Sequence, residues 1–276
     1  KTARSLWRKV TGCDPLVKQW LERYADNDNE GSITVTRYML SAAAGYEIML
    51  TKMLSTIPKS EQLQMVREKD ELFWTTLHHA VHSGNSSSIQ TILALDPNQS
   101  NWLPVVPVQD LIGFGDNLLF LAAHSGNSES LRLLITLYPE SQRLRVVSIP
   151  NWRGQTVLHL AAAHRGNSES IKCILESLPV SQRWEVVCVQ DDDEETALHR
   201  AAGLGHFELV MSILTLLPQS QRSRALNMKG QYGATVLQYL SGEALDEVIG
   251  ICASNPVDVP VLSDRECLDS QPSSNE

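Results

Sequence analysis

The sequence predicts an all-α fold made by repeating one helix-turn-helix unit with a short third helix, and three observations carry that expectation. A Thr or Asn stands two residues ahead of an apolar residue at Thr36, Thr75, Asn117, Thr156, Thr196 and Thr235, with steps of 39, 42, 39, 40 and 39 residues. Prolines 58, 97, 139, 179 and 218 run in phase, with steps of 39, 42, 40 and 39. Between these markers the apolar residues fall three and four apart, as in Leu131, Leu134 and Leu137 or Leu209, Ile213 and Leu217, which is the stripe of an amphipathic helix.

The elements of a unit follow in order. After the Thr comes a run of small residues (Ala42 to Ala44, Ala122 and Ala123, Ala161 to Ala163, Ala201 and Ala202) and then Gly45, Gly84, Gly126, Gly166 or Gly205. Alanine favours helix and close approach, and glycine takes the left-handed conformation that ends a helix, so a first helix stops at each glycine. The apolar stripe that follows is the second helix, and proline closes it. Beyond the proline, Ser141-Gln-Arg143, Ser181-Gln-Arg183 and Ser220-Gln-Arg222 each precede an apolar pair, which reads as a serine-capped third helical turn. A polar connection then leads back to the next Thr.

Composition sets the class. With 42% hydrophobic and 20% charged residues and no apolar run of about 18–20 residues, the chain reads as soluble, without membrane insertion. Low aromatic content and 15 glycines argue against a β-rich fold. The net charge of −9 excludes nonspecific attraction to nucleic acid, and residues 236–276 carry eight acidic groups against one basic. Five irregularly spaced cysteines (Cys13, Cys173, Cys188, Cys252, Cys267) suit a reducing, cytoplasmic compartment and indicate neither a disulfide framework nor a zinc site. The chain opens on Lys1, which is expected of a fragment or processed product.

Thr196-Ala-Leu-His199-Arg-Ala-Ala-Gly-Leu-Gly-His206 resembles the ankyrin repeat, whose signature is Thr-Pro-Leu-His-x-Ala followed by a Gly-His turn, and Thr156-Val-Leu-His159 and Thr76-Leu-His78 support it. The resemblance is strongest over 156–217, extends to 75–139, weakens over 36–58 and is partial over 235–252. Two departures stand out. Periods of 39–42 exceed the family's usual ~33, implying an insertion after each second helix, and the signature proline is replaced at Thr76, Leu118, Val157, Ala197 and Val236. A HEAT-type solenoid, with a period of ~40–47, is the alternative, but it leaves Thr-x-Leu-His unexplained. Long units with Leu-Pro and Ser-Gln-Arg after the second helix are similar to those of ankyrin-repeat effectors secreted by intracellular bacterial pathogens. The expected organisation is an N-terminal helical cap over 1–35, an ankyrin-repeat solenoid over 36–254 with units starting near 36, 75, 117, 156, 196 and 235, and an acidic C-terminal tail over 255–276, in which a secretion signal is one reading.

What the resemblance implies is a non-catalytic module that binds a protein through the concave face and connecting fingers. Carried over position by position, the first-helix ends are His82 and Ser83, His124 and Ser125, His164 and Arg165, and Gly203 and Leu204. The residues preceding each Thr add Trp74, Asp116, Gln155 and Glu195, and the connection ahead of Thr156 adds Trp152 and Arg153. Aromatic and Arg side chains dominate binding hot spots, so Trp74, Trp152, Arg153 and Arg165 lead, with packing over the next finger as the alternative for Trp152. The five acidic residues Asp191 to Glu195 read as a solvated loop, or as a contact for a basic partner. A calcium loop would need spaced ligands and a Gly turn. Arg143, Arg183 and Arg222 share one repeat position and suggest local ion pairs with Glu140 and Glu185, or a ladder for an acidic ligand.

In the resembling family the signature His, here His78, His159 and His199, bonds backbone and Thr. His78 and His82 lie one turn apart but lack the Glu of a zinc-protease helix, and no nucleophile elbow, phosphate loop or Cys-x-x-Cys occurs. The expectation is therefore no enzyme, no cofactor and no metal. The alternative is the recognition arm of a larger enzyme whose catalytic domain precedes Lys1.

Overall fold

A computed structural model describes residues 38–70, 74–96 and 117–252. The expected cap over 1–35, the tail over 255–276, and the markers Thr36 and Pro97 lie outside the described residues. The chain forms two compact units, Lys1–Gln142 and Arg143–Glu276, each described by itself. Among the described residues every regular element is helical: only an isolated bridge, Lys229 to Thr235, is strand-like.

The first unit holds α1 (38–43), α2 (Glu47–Ser55), α3 (Lys59–Arg67), α4 (Thr76–His82), α5 (Ser86–Leu93), α6 (Leu118–His124) and α7 (Ser128–Thr136). Helix α8 (Glu140–Val147) begins at its end. First helix packs on first helix (α4 on α6) and second on second (α2 on α5, α5 on α7). The second unit continues with α9 (Val157–Ala163), α10 (Ser168–Glu176), α11 (Val180–Val187), α12 (Ala197–Gly203), α13 (Phe207–Leu216) and α14 (Gln219–Leu226), and ends on α15 (Glu243–Cys252). Here α9 packs on α12 and α10 on α13.

The core follows from the sequence pattern. In α10, Ile171, Ile174 and Leu175 are fully buried, as are Val210, Ile213 and Leu214 in α13, each worth about 1.5–3 kcal/mol. Ala161 and Ala201 are also fully buried, and their small side chains let first helices lie close. Each first helix ends where expected: Gly205 has φ +71°, a conformation that favours glycine.

One detail differs from the sequence reading. Pro179 and Pro218 themselves hold the N-cap position of the third helices, so Ser181 and Ser220 are internal, where the fixed proline φ starts the helix without a side-chain cap. Proline thus closes the second helix and opens the third. In the last repeat the first helix shrinks to a 3₁₀ turn, Val236–Tyr239, because Leu240 replaces the small alanine and Gly242, at φ +59°, turns the chain out early.

Three kinds of polar tie join consecutive repeats within the second unit. His206 Nδ1 donates to the Ala162 carbonyl at the end of α9 (3.2 Å). His159 Nε2 donates to the Glu195 carbonyl of the next connection (3.1 Å). Arg183 of α11 donates to the Leu216 carbonyl at the end of α13 (2.9 Å). The first unit repeats the first tie, with Asn85 donating to the Ala42 and Ala43 carbonyls at 3.1 and 2.6 Å.

Candidate functional site

The connections at 151–155 and 191–195 fold into short turns, or fingers, built by one recurring device. In residues 151–155 the Asn151 Oδ1 accepts from the Arg153 and Gln155 amides (both 2.9 Å), and the Asn151 amide donates to the Gln155 carbonyl (2.8 Å). In 191–195 the Asp191 Oδ1 accepts from Asp193 and Glu195 (3.1 and 3.0 Å), and the Asp191 amide donates to the Glu195 carbonyl (2.9 Å). Asp70 closes onto Trp74 in the same way, its amide donating to the Trp74 carbonyl at 2.9 Å and its Oδ1 accepting from the Trp74 amide at 2.8 Å. Gly230 keeps only the backbone part, donating to the Ala234 carbonyl at 2.7 Å. Adjacent fingers are joined: the Asp192 amide donates to the Arg153 carbonyl (3.0 Å), and Gln190 Nε2 donates to the Lys229 carbonyl (2.8 Å).

At the base of each finger a Thr caps the first helix. The Thr75, Thr156 and Thr196 amides donate to Nδ1 of His78, His159 and His199 at 3.2, 3.1 and 3.3 Å. Nε2 of His159 and His199 faces the Glu195 and Met228 carbonyls (3.1 and 3.0 Å), so the proton sits on Nε2 and Nδ1 accepts. Burial pushes His159 down to about 4. It does the same to His78, aided by the charges of His79 and Lys69, and it also lowers His199. These rings are neutral structural caps at pH 7.

The expected contact residues divide by exposure. His82, Ser83, His124, Ser125, Arg153 and Arg165 are exposed; Trp152 and Leu204 are 55% and 54% exposed. The Arg153 guanidinium lies over the Trp152 ring at 4.4 Å. His164 and Glu195 are half-buried, and burial raises the Glu195 carboxyl above its ordinary range. Gln155 is buried: its amide oxygen, in the orientation that matches donor to acceptor, accepts from Arg200 at 2.7 and 3.1 Å, which faces it into the finger base. Trp74 is half-buried against His78, His79 and His82, with ring centroids 6.2, 5.3 and 5.3 Å away. Asp116 lies outside the described residues.

Asp191, within a largely solvated acidic run, and the arginine row depart from their sequence reading. Asp191 does not face solvent; its side chain is fully buried and pairs with Arg200 at 3.0 Å, while Asp192, Asp193 and Glu194 are exposed. Arg143, Arg183 and Arg222 donate to the Ser177, Leu216 and Ile251 carbonyls (3.4, 2.9 and 3.2 Å), so each reaches the C-terminal end of the next second helix, where a cation satisfies orphan carbonyls and meets the negative end of the helix dipole.

The residues missed by the sequence reading are Tyr232, 94% exposed at the tip of residues 230–234, and Tyr239, 39% exposed beside Gly203. The signal was present: Gly230-Gln-Tyr-Gly233 stands in register with Asn151-Trp-Arg-Gly154.

Residues 77–183 match the family model for ankyrin repeats (three copies). No curated protein matches the chain. The described residues form an all-α repeat fold with recurring third helices, and the ankyrin repeats within 77–183 are an architecture that serves as a protein-interaction module. Among the described residues no helix is long and apolar enough to cross a membrane, and no group of three or more His, Cys, Asp or Glu converges as a metal site would require.

Proposed function

We propose that the chain is a non-catalytic module that binds a specific protein through its finger tips and the exposed ends of its first helices. The observation that carries this reading is the exposure of Trp152 and Leu204, more than half accessible, on elements whose own backbone is held by the ties described above. Large apolar groups on rigid supports serve as binding anchors at little ordering cost. The buried rings of His78, His159 and His199 are consumed as helix caps, which leaves those three no catalytic role.

The test is paired. Trp152→Ala with Leu204→Ala should remove the proteins that cross-link to the wild-type chain in cytosolic extract, while the melting temperature stays within about 2 °C, as expected of exposed positions. Retention of the same cross-linked proteins by the double variant would defeat the assignment. Trp74→Ala should instead lower the melting temperature, because that ring packs on three histidines.

A finer reading, favoured by the Pro-x-Ser-Gln-Arg third helix at 179–183 and 218–222, is a bacterial effector delivered into a host cytoplasm. Its test is a translocation reporter fused to the full chain and compared with a chain lacking 255–276. Loss of delivery on truncation supports it, and absence of delivery by the intact fusion removes it.

A further inference from the structure

We infer that the three consecutive finger tips of the second unit form a docking surface for an extended protein segment carrying cationic side chains beside apolar anchors. This rests on the interaction reading above and names the chemistry of the partner. Two aromatic side chains mark the outer tips. Trp152 is 55% exposed on the first finger and Tyr232 is 94% exposed on the third, although neither exposure helps folding. The middle finger presents Asp192, Asp193 and Glu194, all exposed.

The tips are neighbours by direct bonds: the Asp192 amide to the Arg153 carbonyl on one side (3.0 Å), Gln190 to the Lys229 carbonyl on the other (2.8 Å). The surface is therefore built, with aromatic, acidic and aromatic chemistry in sequence along three bonded turns.

Charge selects the occupant. Across the tips three carboxylates outnumber Arg153 and the exposed Lys229 at the edge of the third finger, and Arg153 lies over Trp152 rather than in an ion pair with them. Asp70, Glu129, Glu169 and Asp191 pair with His79, Arg132, Lys172 and Arg200, and the three tip carboxylates are in none of these pairs. Guanidinium or ammonium groups of a partner would relieve their mutual repulsion with charge-assisted bonds, while apolar side chains on either side meet Trp152 and Tyr232. An acidic partner meets repulsion at the centre, and a neutral apolar one leaves the carboxylates desolvated without a partner.

The experiment selects random twelve-residue peptides displayed on phage against the full chain, then measures affinity of the enriched synthetic peptides by fluorescence polarisation. Peptides combining two or more Lys or Arg with an aromatic or aliphatic residue are expected. Their affinity should fall about tenfold or more in Asp192→Asn/Asp193→Asn/Glu194→Gln, by a similar factor in Trp152→Ala/Tyr232→Asn, and with rising salt. Asn is chosen at 232 because the φ of +60° there is one it tolerates. All five positions are exposed, and an unchanged melting temperature confirms folding of each variant. Enriched neutral or acidic peptides lost on Trp152→Ala/Tyr232→Asn would overturn the charge assignment while leaving the interaction reading in place. Basic peptides indifferent to the aromatic substitutions would overturn the docking surface as plain electrostatic attraction. Failure to enrich any peptide would overturn both readings.

Discussion

The fingers at 151–155 and 191–195 make the same turn with different chemistry. Each is closed by one side-chain oxygen of its first residue, Asn151 or Asp191, over two amides at 2.9–3.1 Å. Only Asp191 has a second oxygen that engages a cation, Arg200 at 3.0 Å; the position equivalent to Arg200 in the preceding repeat is Leu160. In the first unit Asp70 pairs with His79, again at that position (2.8 Å). An acid opening the finger goes with a base four residues after the Thr, and an amide goes with a leucine. The turn therefore needs an acceptor, and the charge is a separable addition that locks the finger to its own helix.

Removing the acceptor from each finger breaks the comparison most severely. Asp191→Ala should destabilise by about 3–4 kcal/mol, because two buried amides lose their acceptor and a largely buried guanidinium, left with the Gln155 amide oxygen, loses its carboxylate. Asn151→Ala should be milder at about 1–2 kcal/mol, since only the amides are left unpaired. Urea unfolding of both variants settles it, and equal losses would mean that the ion pair contributes nothing.

Acid acts on one finger through His159, whose Nε2 proton holds the Glu195 carbonyl. The preceding repeat carries Phe120 at the histidine position, a ring with no nitrogen to donate. Because burial lowers His159 to about 4 from an ordinary 6.5, the neutral ring favours the folded state. Its contribution is complete above pH 6.5 and is lost as pH falls toward 4, at about 1.4 kcal/mol per pH unit and about 3 kcal/mol in all. Gln238 serves the same capping box in the last repeat, its Oε1 accepting from the Thr235 amide at 2.7 Å. His159→Gln should therefore fold and unfold with a slope shallower by that amount between pH 6.5 and 4; an unchanged slope would show that the ring stays neutral for no energetic reason.

The elements of the repeat were legible in the sequence because they are local: an alanine run, a glycine, an apolar stripe and a proline recur within a few residues of one another. Asp191 and Arg183 were misread because their partners are fixed by stacking. Arg183 reaches a carbonyl 33 residues away, and whether a repeated arginine points along the array or out of it is decided by the neighbouring repeat, which spacing does not encode. Asp191 was hidden by the exposed acids beside it, although its register with Asp70 and Asn151, each five residues before a Thr, was already in the sequence. Trp74 and Trp152 show the same limit: both sit in polar connections, and only the three histidine rings around Trp74 separate a packed side chain from an exposed one.

Transplanting the ion pair sharpens the comparison at a smaller scale. Asn151→Asp keeps the turn acceptor and adds a carboxylate at a buried position; Leu160→Arg supplies the cation. If the charge is separable from the turn, the double-mutant cycle should give a favourable coupling of about 1 kcal/mol, with each single variant neutral or destabilising. A coupling near zero would tie the lock to features of the 191–195 finger beyond these two side chains.

The smallest effect concerns the fourth finger position, Gly154 at φ +72° and Glu194 at φ +61°. A side chain at 154 would lie 2.8 Å from the Asp192 amide nitrogen, so glycine is required there by space as well as conformation. At 194 only the left-handed backbone opposes a side chain, and Glu194→Gly should stabilise by about 0.5–1 kcal/mol. A glutamate that weakens its own turn is explained if the carboxylate serves at the tip. Glu194→Gly should then raise the melting temperature and weaken binding of the cationic peptides together, whereas a gain in stability with unchanged affinity would leave Asp192 and Asp193 as the acids that matter.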